Sequence, residues 1–105
     1  CINTAGEKVY PEEVEEVLKY HDSVNDALVL GVKNEKWGQS ITAVVQLAPG
    51  SHLDELELRE FSRQHLAAYK IPKRILQKEN LERAPNGKAD YKSIRSFAES
   101  ALGIS

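Results

Sequence analysis

A single cysteine, Cys1, and no methionine stand among the 105 residues of this chain. One thiol cannot close an internal disulfide, and metal cages built on two or more cysteines are excluded by count, so a reducing cytoplasm fits best. His21, His52 and His65 are too scattered for a local ligand pair, and no metal site is expected from them. No apolar run approaches the length needed to span a bilayer, and no cleavable signal is visible, so no transmembrane segment is expected. A charge field is missing too: 14 basic and 16 acidic residues leave a net −2, which gathers neither nucleic acid nor anionic lipid. With Cys1 and not Met at its head, the chain is expected to be a piece of a larger protein.

What is present is ordinary for one small domain: 41% hydrophobic and 29% charged residues. Such a chain can bury one core but has little wall for a deep pocket, so a partner surface is expected. The periodicity switches between helix-like and strand-like, which points to an α/β or α+β domain. A helix is expected to open at Pro11, followed by Glu12 and Glu13 where the dipole favours acids, to bury Val14, Val17 and Leu18, and to end at Asp22 and Ser23. Residues 27–32 are apolar on both faces and read as a strand at the sheet centre. Ile41, Ala43, Val45 and Leu47 alternate with Thr42 and Gln46 as a second strand, antiparallel to the first. Pro49, Gly50 and Ser51 break it. Asp54 then starts a helix with Leu58, Phe61, His65 and Leu66 on one face, running to near Tyr69. Residues 73–81 read as a third strand anchored by Ile75 and Leu81. Asn86-Gly87 is a tight-turn signal, and Tyr91, Ile94, Ala98 and Leu102 mark a last helix. Residues 101–105 are expected to fray. The sum is a compact three-layer domain with about three mainly antiparallel strands, about three helices and a short hairpin bearing Lys88.

A lysine at an exposed turn tip means little alone, because turn chemistry explains Asn86 and Gly87. Its context is more specific. Ile2-Asn3-Thr4-Ala5-Gly6-Glu7-Lys8-Val9-Tyr10-Pro11-Glu12-Glu13-Val14-Glu15 comes first, then Gly31-Val32 with Trp37-Gly38. Leu66-Ala67-Ala68-Tyr69-Lys70-Ile71-Pro72-Lys73 and Arg83-Ala84-Pro85-Asn86-Gly87-Lys88 follow. In order and spacing the four stretches resemble the C-terminal domain of adenylate-forming acyl-CoA synthetases, whose opening stretch runs Gly-Gly-Glu-Asn-Val-Tyr-Pro-x-Glu-Val-Glu. The resemblance covers nearly the whole chain.

The resemblance implies a single lid domain, residues 1–105, that swings against a larger N-terminal domain holding ATP and a carboxylic acid, with the hinge just before Cys1. Mg2+ would arrive through ATP on that other domain. In one pose Lys88 would stabilise charge as carboxylate meets α-phosphate. In the other, Ala5 and Gly6 would line a pantetheine channel, and Trp37, Tyr69 and Lys73 would contact the CoA nucleotide. Ala5 replaces a family glycine, so its methyl narrows the channel or shifts the backbone. Competing accounts stand beside these: Gly6 only bends the chain, Trp37 plugs the core edge, and Tyr69 ends a helix face. Lys8, Lys70 and Arg74 add positive potential or are plain solvated surface. Glu12, Glu13, Glu15 and Glu16 read as a helix start and its solvent face.

The implied activity is that of a fatty-acid or related carboxylic acid–CoA ligase, cytoplasmic, with the fragment itself inactive. Two rivals are kept: a peptide-synthetase-type adenylation subdomain that hands its acyl group to a carrier protein, and a noncatalytic α/β interaction module.

Overall fold

The computed structural model describes residues 1–104. Strands β1 (Ile2–Thr4) and β2 (Glu7–Val9) form a tight hairpin, and helix α1 (Pro11–Lys19) follows. The long strands β3 (Val24–Asn34) and β4 (Gly38–Leu47) come next, then helix α2 (Glu55–Arg63), a 3-10 turn at Ala68–Lys70, strand β5 (Arg74–Gln77) and helix α3 (Tyr91–Leu102). The expected α/β class, the three layers and the three helices are all present.

The sheet has five strands and β4 is its hub. β4 pairs antiparallel with β3 along its length and with β1 at Thr4–Gly38, while β5 lies parallel to it from Thr42 to Val45. Three expectations change here. The β1–β2 hairpin escaped notice because three-residue strands are too short to show a period. The third strand is shorter than residues 73–81 and runs parallel. Finally, β3 is not the sheet centre but an edge, because two covered faces produce an apolar run whether or not both edges are paired.

That edge is closed by side chains. Glu15 on α1 accepts the Val29 N–H at 2.9 Å, Asp26 accepts the Ala27 N–H at 2.9 Å, and Arg95 on α3 donates to the Gly31 carbonyl at 2.6 Å. Backbone groups that a further strand would otherwise pair are thereby satisfied, which blunts edge-to-edge association.

One face of the sheet packs on α1 and α2 through Val14, Leu18, Leu58, Ile41 and Ile75; the other packs on α3 through Leu28, Val44, Leu81, Ile94 and Ala98. Pro11 opens α1 and Asp54 caps α2 by accepting the Glu57 N–H at 3.0 Å, as their sequences indicate. α2 ends at Arg63, earlier than expected, because the chain must turn there to bury Leu66 and then Ile71 in the same core. The C-terminal end is ordered as far as Ile104: Gly103 is left-handed (φ 74°), its N–H reaches the Ser100 carbonyl, and the Ile104 N–H reaches that of Glu99. This is a Schellman cap, and it folds Ile104 onto the α3-side core. Ser105 lies outside the described residues.

Candidate functional site

Lys88 stands on a turn whose geometry follows from its neighbours. Leu81, 2% exposed, anchors the segment in the core, and Asp90 caps α3 by accepting the Ser93 N–H at 3.1 Å. Between them the Gly87 N–H donates to the Ala84 carbonyl at 2.8 Å, and the Ala84 N–H donates to the Lys88 carbonyl at 2.9 Å. Asn86 Oδ1 accepts the Lys88 N–H at 3.1 Å. The closure is hairpin-like, yet no strand ladder flanks it, and Pro85 takes the second position of the turn, where its fixed φ is favourable. Within the turn only Gly87 takes a positive φ (85°); the Asn-Gly pair does not form a doubly left-handed turn. The Lys88 side chain is exposed, and among the described residues its ammonium forms no ion pair.

Beneath the turn lies Arg83. Its Nε and Nη2 donate to Asp26 Oδ2 and Oδ1 at 2.7 and 3.0 Å, and its Nη1 reaches the Gly87 carbonyl at 3.2 Å. Burial pushes the Asp26 carboxyl up, but hydrogen bonds from Arg83 and the Ala27 N–H, with the charge of Arg83, hold it below the usual carboxylate range.

The second group of residues gathers at the opposite end of the β3–β4 hairpin. Ala5 and Gly6 form the two-residue β1–β2 turn, both left-handed (φ 50° and 83°), and Ala5 donates its N–H to the Trp37 carbonyl at 2.9 Å. A doubly left-handed turn suits the right-handed twist of a hairpin, and alanine adopts its first position only under strain. Asn34 Oδ1 accepts the N–H groups of Lys36 and Trp37 at 2.8 and 3.0 Å, fixing the β3–β4 connection. Lys73 donates its N–H to the Ile41 carbonyl at 2.8 Å, and its ammonium lies 4.5 Å from the Trp37 ring centroid, a cation–π distance. Thr4, Ala5, Trp37, Tyr69 and Lys73 together line a cleft of about 120 Å³.

Four of the flagged residues, Ala5, Trp37, Tyr69 and Lys73, thus meet in one place although they are spread across the sequence. Gly6 does not line the cleft; a Cβ there would touch nothing within 4 Å, so its demand for glycine is conformational. Trp37 is half-buried and belongs to neither core cluster, and Tyr69 is 42% exposed on the 3-10 turn. Lys70 pairs with Glu13 at 2.8 Å, and that hydrogen bond raises its pKa above the ordinary lysine value. Arg74 pairs with Glu55 at 3.0 Å, so neither cation stands free. From Gly38 to Gln46, which faces Asp26 across the ladder, β4 advances about 27 Å. The cleft and the Arg83 clamp therefore occupy opposite ends of one hairpin.

Some residues of consequence were not marked by the sequence reading. Glu15 is buried, 7% exposed, and not on a solvent face: besides Val29 it accepts the Tyr91 hydroxyl at 2.7 Å. Burial, then the hydrogen bond and charge of Glu15, push the Tyr91 phenol well above its ordinary pKa. The available signal was its place one turn before Leu18, at the margin of the apolar stripe. Asp26 carries no such signal, and Arg83, although it opens the stretch that ends at Lys88, gives no sign of a partner 57 positions away. A cleft of about 320 Å³ between Cys1, Tyr10, Glu12, Tyr91 and Arg95 gathers none of the residues assigned to adenylation or to CoA.

The chain is 46% identical over 98 residues to the medium/long-chain-fatty-acid–CoA/3-oxocholest-4-en-26-oate–CoA ligase of Mycobacterium tuberculosis, a match covering 93% of this chain and 18% of that protein. Its fold superposes on a Mycobacterium tuberculosis fatty acyl CoA synthetase with a TM-score of 0.86 at 32% identity, covering 93% of this chain and 19% of the other. The amide bond synthetase McbA from Marinactinospora thermotolerans gives a TM-score of 0.86 at 32% identity, over 91% of this chain and 19% of that one. The chain thus spans under a fifth of the length of the protein relative it matches. Residues 13–88 match the family described as AMP-binding enzyme C-terminal domain, and the chain belongs to that family.

Proposed function

We propose that residues 1–105 are the lid domain of an ATP-dependent, AMP-forming acid–CoA ligase acting on a fatty acid or related carboxylic acid. A larger N-terminal domain of the same chain would hold ATP, its Mg2+ and the acid. The observation that carries this reading is the separation of two groups at the two ends of the β3–β4 hairpin: an ammonium with no ion pair among the described residues, on a turn held beside the open end through Arg83 and Asp26, and an aromatic, cationic cleft at the closed end. In the first half-reaction the acid's carboxylate attacks the α-phosphorus of ATP and pyrophosphate leaves. In the second, the CoA thiol displaces AMP.

Lys88 acts in the first step as a positive charge, not as a nucleophile. Negative groups must approach each other there, and a unit charge about 4 Å away contributes around 4 kcal/mol gross at an effective dielectric near 20. That bounds its help at roughly a thousandfold in rate. For the second step, Trp37 and Tyr69 offer ring faces to a purine and Lys73 a mobile cation to phosphate, while the Ala5-Gly6 turn admits the pantetheine arm. The chemistry of this donor set fits CoA. The neighbouring amide bond synthetase indicates that the fold alone does not fix the acceptor, and a carrier-protein thiol is the alternative reading.

The test uses the full-length parent. Lys88→Ala is expected to lower adenylate formation, followed by pyrophosphate release, by about a hundredfold or more, while thioester formation from supplied acyl-adenylate persists. Equal loss of both half-reactions refutes the assignment. Supplying CoA or a carrier protein to the same enzyme identifies the acceptor, and activity with neither Lys88 nor the cleft residues required would leave the noncatalytic module standing.

A further inference from the structure

Among the described residues, segment 83–89 is hydrogen-bonded to the rest of the domain through one side chain only. The bonds from Ala84, Gly87 and Lys88 all stay within the turn. Only Arg83 leaves it, with two bonds to Asp26 on the first part of β3. The same guanidinium turns its remaining Nη1 toward the Gly87 carbonyl at 3.2 Å, the peptide group that directly precedes Lys88. A planar fork thus ties the Lys88 peptide to the sheet, a geometry a lysine's point charge cannot reproduce. The Lys88 side chain is exposed, and its backbone is held through the Gly87 carbonyl and Asn86 Oδ1.

We propose that Arg83, gripped by Asp26, is a positioning residue for adenylation: it sets the height and heading of Lys88 without touching substrate. The inference rests on the role given to Lys88 above. A mobile turn would still carry the cation, but would present it within reach of the reacting oxygens for a smaller share of the time, and misplacement by about 1 Å can cost about a hundredfold in rate. Loss of the clamp therefore lowers the rate of adenylation more than substrate affinity, and leaves the cleft about 27 Å down the hairpin unaffected.

The experiment measures both half-reactions in the full-length parent for Lys88→Ala, Arg83→Met, Arg83→Lys, Asp26→Asn and the double variant Asp26→Asn/Arg83→Met. Thermal melts confirm folding, and Asp26→Asn, being isosteric, perturbs the clamp with the least risk to it. Expected are drops of about tenfold in adenylation kcat for Arg83→Met and Asp26→Asn, little change in KM for ATP or acid, and little change in thioester formation from supplied acyl-adenylate. Arg83→Lys does not restore the rate, and the double variant is no worse than either single one, because both remove the same clamp. If Arg83→Met is impaired while Asp26→Asn is not, Arg83 acts directly on substrate and positioning is overturned. If both half-reactions fall together, or neither falls, while Lys88→Ala still abolishes adenylation, the positioning claim alone fails. If Lys88→Ala leaves adenylation intact, the underlying reading of Lys88 fails instead.

Discussion

Gly31 lies in the middle of β3, where a Cβ would stand 2.8 Å from Ile2 Cγ2 and 2.9 Å from Gln39 Cδ and Nε2. Ordinary carbon contacts begin near 3.5 Å, so Gly31→Ala forces movement of about 1 Å or less from neighbours that are already engaged. Ile2 is buried beneath α1 and α2, and Gln39 Oε1 accepts the Asn3 N–H at 2.8 Å. Either β1 lifts from the sheet or Gln39 swings away and leaves that N–H to solvent. Overpacking of this kind costs about 1–3 kcal/mol, and the stiffer unfolded chain returns about 0.4–1 kcal/mol. A net loss of about 1–2 kcal/mol follows, which for a domain of this size lowers Tm by about 5–10 °C. Far-UV circular dichroism melts of the chain read it directly. In the full-length enzyme the displaced β1–β2 turn should slow thioester formation more than adenylation. A Gly31→Ala chain that melts at or above the parent temperature refutes the reasoning, since the close approach would then be soft.

Two further substitutions test the local physics. Ala5→Asn suits the left-handed first turn position and should raise stability by about 0.5–1 kcal/mol, whereas Ala5→Val should lose about 1–2 kcal/mol; parallel thermal melts that rank the two in reverse order would contradict the turn assignment. Glu15→Ala leaves the Val29 N–H without an acceptor under α1 and should cost about 1–3 kcal/mol in urea unfolding, while Glu15→Gln, which keeps one oxygen there, should lose less; equal losses would mean that the charge, not the edge hydrogen bond, matters.

The sequence disclosed what depends on local patterns. Pro11 and Asp54 announced helix starts, and the alternation from Ile41 to Leu47 announced a strand, because capping and burial leave marks within a few residues. Strand order was hidden: an apolar run reports covered faces, and β3 has both faces covered while lying at an edge. β1 and β2 were too brief for any period. For the candidate site, Lys88 and the cleft residues came to notice only through the family resemblance, and the clamp joining Arg83 to Asp26 spans 57 positions and is fixed only by tertiary packing. Glu15 was misread because a carboxylate at the margin of an apolar stripe looks solvated until one knows which strand edge lies opposite.

The chain's one tryptophan sits beside the β1–β2 turn and not in either core cluster. Its fluorescence is therefore a built-in local gauge: emission and quenching register what enters the space between Ala5 and Lys73, or how the two nearby ammonium groups of Lys36 and Lys73 rearrange around the indole. Events at the Lys88 turn, beside the open end of the hairpin, should leave that signal still, so a single unlabelled chromophore separates the two ends of this domain.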